Sequence, residues 1–231
     1  MRALIKVGNC VCEGSRDPKE VQRFLLRILD SQDLLENRGA SPPVAVVDPP
    51  ASDWKEEWSR FYGEIFGRKV DLTEVDEVPD PGGFGWVMFV ANGLTLRGVI
   101  KKCQERFPIS SFYGDDADVS VPTHVRDTCK AYSRRFRNRV EADEENKSVS
   151  PHEVVKREDV CTLLERLLLE LWYHWRTGGG HLDLLKVTVC AGSKDYSDRF
   201  PRVSWRTSRL KIYFSYHAGR GNEDLRVRSV R

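Results

Sequence analysis

Between Pro201 and Tyr216, side chains that can make polar or stacking contacts alternate with side chains that cannot. Val203 and Trp205 interleave with Arg202, Ser204 and Arg206. After Thr207-Ser208-Arg209, Leu210, Ile212 and Phe214 interleave with Lys211, Tyr213 and Ser215. Successive side chains of a strand point to opposite sides, so this period of two predicts a β-hairpin with one apolar and one mixed face. Val203, Trp205, Leu210, Ile212 and Phe214 are expected to be core. The opposite set is expected to meet water and to tolerate substitution at little stability cost. Its chemistry suits an adaptable contact surface: Tyr offers area at low rotamer cost, Arg a fork of donors, Ser short polar contacts. The candidate ligand-binding residues are Arg202, Ser204, Arg206, Thr207, Ser208, Lys211, Tyr213, Ser215, Tyr216, His217 and Arg220. Tyr216 and His217 sit at the rim, and Arg220 in the Gly219 to Asn222 loop.

No other spacing specifies a reaction. Cys10, Cys12, Cys103, Cys129, Cys161 and Cys190 include no C-x-x-C pair, and His124, His152, His174, His181 and His217 are scattered. A zinc site is therefore not expected, and Cys103 and Cys161 read as small buried hydrophobes. There is no P-loop, G-x-S-x-G or G-x-G-x-x-G. Gly178-Gly179-Gly180-His181 reads as a helix terminus, and Asp115, Asp116 and Asp118 as a solvated loop cluster. The expectation is a binding protein rather than an enzyme, with no cofactor.

The elements that must position the hairpin follow from periodicity. Residues 1–50 read as a helical appendage and linker: Pro18 precedes Val21, Phe24, Leu25, Ile28 and Leu29, and Pro42-Pro43 and Pro49-Pro50 bracket an extended stretch. Residues 51–83 hold an aromatic helix opening at Ser52 or Asp53, striped by Trp54, Trp58, Phe61, Tyr62 and Ile65 and stopped by Gly67, then an acidic loop. The main domain, 84–231, begins with a buried strand, Trp86 to Ala91. Thr95 caps a helix bearing Leu96, Val99, Ile100, Cys103 and Phe107, which Pro108 ends. Lys130 to Val140 is a possible strand. Thr162-Leu163-Leu164-Glu165 fits a capping box ahead of Leu167, Leu168, Leu171, Trp172 and Trp175, with Gly178 to Gly180 as the stop. Leu185 to Cys190 reads as a strand. The class is α+β, with two main helices and a mostly antiparallel sheet.

Composition sets outer limits. The 37 basic and 35 acidic residues leave a net charge of +2, so no overall field draws the chain to nucleic acid. A 40% hydrophobic, 31% charged chain is ordinary for a globular protein. No apolar run of about 18 residues exists, so no membrane span is expected. The start, Met1-Arg2-Ala3-Leu4-Ile5-Lys6, is too short and polar for a signal peptide, so a reducing, cytoplasmic setting is expected.

From Phe84 onward the sequence resembles a family of small uncharacterised proteins of candidate-phylum bacteria and archaea. The resemblance is carried by Met88-Phe89-Val90-Ala91-Asn92-Gly93-Leu94-Thr95, Phe136-Arg137-Asn138-Arg139-Val140-Glu141-Ala142-Asp143-Glu144-Glu145, Leu163-Leu164-Glu165-Arg166-Leu167-Leu168, Cys190-Ala191-Gly192-Ser193, Pro201, Val203, Trp205 and Asp224-Leu225-Arg226-Val227-Arg228-Ser229-Val230. It implies a fixed frame with varied residues between frame positions, similar to the variable proteins of diversity-generating retroelements. Those carry a C-type-lectin-like, ligand-binding C-terminal segment. In such systems adenines are randomised, so AAC or AAT codons become many residue types but never Lys, Glu, Gln, Met or Trp. Between Ser193 and Asp224 the excluded types are Lys194, Trp205, Lys211 and Glu223, and Lys211 on the mixed face departs from the rule. A strand, two helices and late strands also suit a C-type-lectin-like domain, in which first and last strands pair. Trp86 to Ala91 would then lie beside Leu225 to Val230. Asn222-Glu223-Asp224 alone does not make a calcium site. The implied partner is a macromolecule, protein before nucleic acid, and its identity is not written in the chain.

The alternative is a nucleic-acid-binding module. Lys130, Arg134, Arg135, Arg137 and Arg139 form a basic run with Tyr132 and Phe136, and Arg226, Arg228 and Arg231 add to it. Glu141, Asp143, Glu144 and Glu145 follow at once and can neutralise the run by ion pairing.

Overall fold

The computed structural model describes residues 53–231 except 115, 215–220 and 222. The appendage helix expected after Pro18 lies outside the described residues.

The aromatic helix forms as its stripe predicts. Asp53 accepts the Glu56 amide and opens α1 (Trp54–Phe61), which widens into a π-helical turn over Tyr62–Phe66 and stops at left-handed Gly67 (φ 62°). Its side chains reach the strand beneath. Trp58 Nε1 donates to the Val87 carbonyl at 2.7 Å, and the Tyr62 hydroxyl donates to Phe89 O and accepts from Ala91 N. That strand, β1 (Trp86–Val90), is buried along its whole length.

Thr95 caps α2 (Leu96–Gln104), and its side chain accepts the Gly98 amide. A short β2 (Ile109–Ser111), a four-residue α3 (Ala117–Ser120), β3 (Thr123–His124) and β4 (Tyr132–Phe136) follow. A further helix, α4 (Pro151–Arg157), opens on Ser150 as cap with Pro151 in its first turn. α5 (Leu163–Thr177) has both halves of the capping box at Thr162 and Glu165, and ends at left-handed Gly178. Its face buries Trp172, stacked on Trp58 with ring centroids 5.8 Å apart. α1, α2, α5 and β1 thus share one core, and burying side chains of this size contributes about 1.5–3 kcal/mol each before chain entropy is subtracted.

The remaining strands are β5 (Val187–Val189), β6 (Ser193–Lys194), β7 (Pro201–Arg206), β8 (Arg209–Phe214) and β9 (Leu225–Val227). The main sheet has the order β2-β8-β7-β5-β9, with β2/β8 and β5/β9 parallel and the rest antiparallel. The architecture is α+β.

The expected pairing of first and last strands is not what forms. β1 pairs antiparallel with β4, Trp86 opposite Phe136 and Val90 opposite Tyr132. The C-terminal run instead lies parallel to β5, bridges Val160 at Ser229, and meets β4 only at its tip, where Arg135 and Arg231 exchange both backbone hydrogen bonds. β4 takes the place beside β1 expected of the C-terminal run, while Trp58 and Tyr62 of α1 and its π-helical turn bond the Val87 and Phe89 carbonyls of β1.

Candidate binding site

The hairpin exists in the register its alternation implies: Val203 faces Ile212, Trp205 faces Leu210, and on the other face Arg202, Ser204 and Arg206 sit opposite Tyr213, Lys211 and Arg209. Thr207 and Ser208 make the two-residue turn with φ of 50° and 56°. A left-handed pair matches the right-handed twist of the flanking strands, which is why such turns favour Asn and Gly. A β-branched residue such as Thr207 fits there poorly.

The expected solvent exposure of the mixed face is overturned for four of its residues. Ser204 and Lys211 are 6% exposed, Arg206 3% and Tyr213 9%. β7 and β8 are interior strands flanked by β5 and β2, and their second face is covered as well. Arg206 shows how: its guanidinium donates to the carbonyls of Asp183 (3.1 Å), Leu184 and Leu185 (2.6 Å). It acts as a bolt on the loop before β5. Arg202, Arg206, Lys211 and Tyr213 all have partners, and Arg202 lies over the Tyr213 ring at 5.8 Å. Alternation separates two faces but does not say which of them water reaches.

What meets solvent is the tip. Thr207, Ser208 and Arg209 are exposed, and Arg202 and Trp205 are half-buried. Trp205, expected in the core, instead lies flat against His181 (centroids 3.3 Å apart, planes within 9°) beside Phe107 at 5.8 Å. His174 also stacks on His181, at 4.8 Å, and Phe107 meets both imidazoles edge-on. His181 Nδ1 lies 2.9 Å from the buried Glu170 carboxylate, which fixes the ring. Burial, and then the neighbouring His181, hold His174 below the ordinary imidazole pKa. Sequence reading missed this shelf because Phe107, His174, His181 and Trp205 share no period.

Under the shelf lies a fully buried charge network. Arg166 bridges Glu170 (2.8 Å) and Asp183 (2.8 Å), and Asp183 also takes Arg228 Nη2 (2.7 Å) and the Thr188 hydroxyl. Burial alone would raise the Asp183 carboxyl, but Arg228, Arg166 and the Thr188 hydrogen bond hold it below its ordinary range. Four separate pieces of chain meet there: α5, the loop before β5, β5 itself and the C-terminal run.

Ser215, Tyr216, His217 and Arg220 lie outside the described residues. In the Asn222-Glu223-Asp224 stretch, Asp224 pairs with Lys186 at 2.9 Å. Three of the five basic residues of the run are engaged by acids: Arg135 pairs with Glu77, Arg137 with Asp143, and Arg139 with Glu145. A separate cleft of about 200 Å³ is lined by Asp118, His124, Arg126 and Tyr132. Arg126 is committed there to Glu165, and Asp118 to the first amides of α2. No helix of the described residues is long and apolar enough to cross a membrane.

No protein-family model matches the chain, and neither a curated protein nor a solved structure matches it.

Proposed function

We propose that the chain is a ligand-binding protein rather than an enzyme, the variable protein of a diversity-generating retroelement acting in the cytoplasm. Its contact surface is the hairpin tip, Thr207, Ser208 and Arg209, with Arg202 and the Trp205 shelf behind it. Ser204, Arg206, Lys211 and Tyr213 are assigned to support instead, so the surface is narrower than alternation suggests. The observation that carries the reading is the turn. Thr207 and Ser208 are exposed and hold left-handed backbones, a conformation Asn adopts far more readily than Thr. Changing one adenine of an Asn codon AAC gives ACC for Thr or AGC for Ser, so both residues read as diversified Asn codons in a turn built for Asn. Trp205, which such codons never reach, supplies a fixed aromatic platform. The α+β frame, with two main helices and late strands, supports a C-type-lectin-like ancestry, from which the insertion of β4 beside β1 is a departure.

The test is to sequence the DNA flanking the gene. The expected result is a near-repeat of the Ala191–Arg231 codons whose mismatches fall on adenines, beside a reverse transcriptase gene. A flank holding neither overturns the retroelement reading. The basic run gives the nucleic-acid alternative little support, because three of its four arginines, Arg135, Arg137 and Arg139, are paired with acids.

A further inference from the structure

The geometry points to a thiol–disulfide site, independent of the binding reading: Cys161 and Cys190 are placed to form a disulfide that staples the start of α5 to the end of β5. Both residues have no solvent exposure and belong to the same core cluster. The two chain segments are pressed together. Gly192 N donates to Cys161 O at 3.0 Å, and Leu163 N donates to Ser193 Oγ at 2.8 Å. A Cβ on Gly192 would sit 2.9 Å from Cys161 O, closer than real Cβ atoms approach. The turn from Cys190 to Ser193, closed by Ser193 N to Cys190 O at 3.0 Å, brings Cys190 back toward Cys161. Burial, and then the neighbouring Cys161 thiol, raise the Cys190 thiol well above its ordinary value. The other described cysteines have no such neighbour relation: Cys103 approaches the Leu167 carbonyl, and Cys129 is exposed.

The oxidant is a low-molecular-weight disulfide such as oxidised glutathione. One cysteine thiolate attacks it, releasing a first glutathione thiolate and leaving a mixed disulfide. The second cysteine displaces the second glutathione. Two electrons pass to the oxidant, and the two cysteine protons end on the two released thiols. With both thiols buried away from solvent, exchange proceeds while the chain folds or opens locally rather than in the closed state. The bond encloses α5 and the Asp183 loop. Because Cys190 N donates to Pro201 O and Cys161 N to Arg228 O, it fixes the entries to both the hairpin and the C-terminal run. In the reducing setting proposed above the pair rests as two thiols and closes where a disulfide oxidant is supplied.

The full chain is unfolded in guanidinium, refolded in a mixture of reduced and oxidised glutathione, and digested with trypsin. The expected product is the peptide pair Glu158–Arg166 and Val187–Lys194, joined, about 2 Da lighter than the two thiol peptides and separated by reductant. Closing a loop of about thirty residues raises the Tm of the oxidised form by roughly 5–10 °C over the reduced form. In Cys190→Ala that difference disappears, whatever its own stability. Recovery of the two peptides as free thiols or glutathione adducts from the folded protein overturns the proposal, as does an oxidation-dependent Tm rise that survives in Cys190→Ala.

Discussion

The Asp183 network and the hairpin tip are neighbours built by opposite rules. Around Asp183 every charge is buried and answered: Arg166, Arg228 and Thr188 converge on one carboxylate, and Arg206 caps the adjoining carbonyls. At the tip, Thr207, Ser208 and Arg209 are exposed, and the two turn residues hold backbones their side chains disfavour. The difference teaches how one element serves two ends. A hairpin anchored to the fold through Arg206, the residue just before its turn, still leaves Thr207, Ser208 and Arg209 exposed.

The comparison breaks most visibly at its centre. Asp183→Ala leaves Arg166 and Arg228 buried without their shared carboxylate, and is expected to destabilise by about 3–5 kcal/mol in urea unfolding. A loss under about 1 kcal/mol would mean that the network is ornamental. Trp205→Ala should cost less, about 2 kcal/mol, since the ring is half-buried and stands on an imidazole rather than inside the core. Calorimetry of the variant checks this, and a value matching a fully buried tryptophan would return Trp205 to the core.

At the tip the sign reverses. The double substitution Thr207→Asn, Ser208→Gly suits the left-handed turn and is expected to stabilise by about 1 kcal/mol. An unchanged or lowered urea midpoint would show that the turn is not strained. The smallest effect belongs to His174. Its pKa is lowered in the folded state, so unfolding takes up a proton as pH falls below the ordinary imidazole value of about 6.5. Its contribution to stability is complete above that value and declines toward acid. Unfolding free energies measured from pH 7.5 to 5 should fall less steeply in His174→Gln than in the parent.

The parts of this arrangement that the sequence makes readable are local. Thr162 and Glu165 sit three apart and cap each other, Gly178 ends the helix they start, and the alternation around Thr207-Ser208 sets the hairpin register. α4 was also within reach, since Ser150, Pro151 and Glu153 are a start signal, but Val154 is the one buried apolar side chain beyond the first turn and leaves no stripe to read. What could not be read is long-range. Arg206 is buried by main-chain carbonyls some twenty residues upstream, which have no side-chain signature. Asp183 looks like any loop acid until Arg166 and Arg228 arrive from distant elements. The pairing of β1 with β4 joins segments far apart in the chain, and no local period signals which distant strand will pair with which.

Arg206 and Arg209 face each other across the hairpin on the same side, one 3% exposed and bolted, the other open to solvent. Urea unfolding of Arg206→Ala and Arg209→Ala therefore tests most directly whether exposure is confined to the tip. The expected result is a loss of about 2–3 kcal/mol for Arg206→Ala, where hydrogen bonds to three carbonyls disappear, and a change within about 0.5 kcal/mol for Arg209→Ala. Equal losses at the two positions, or the larger one at Arg209, would contradict the division between an anchored Arg206 and an open Arg209 across the same rung.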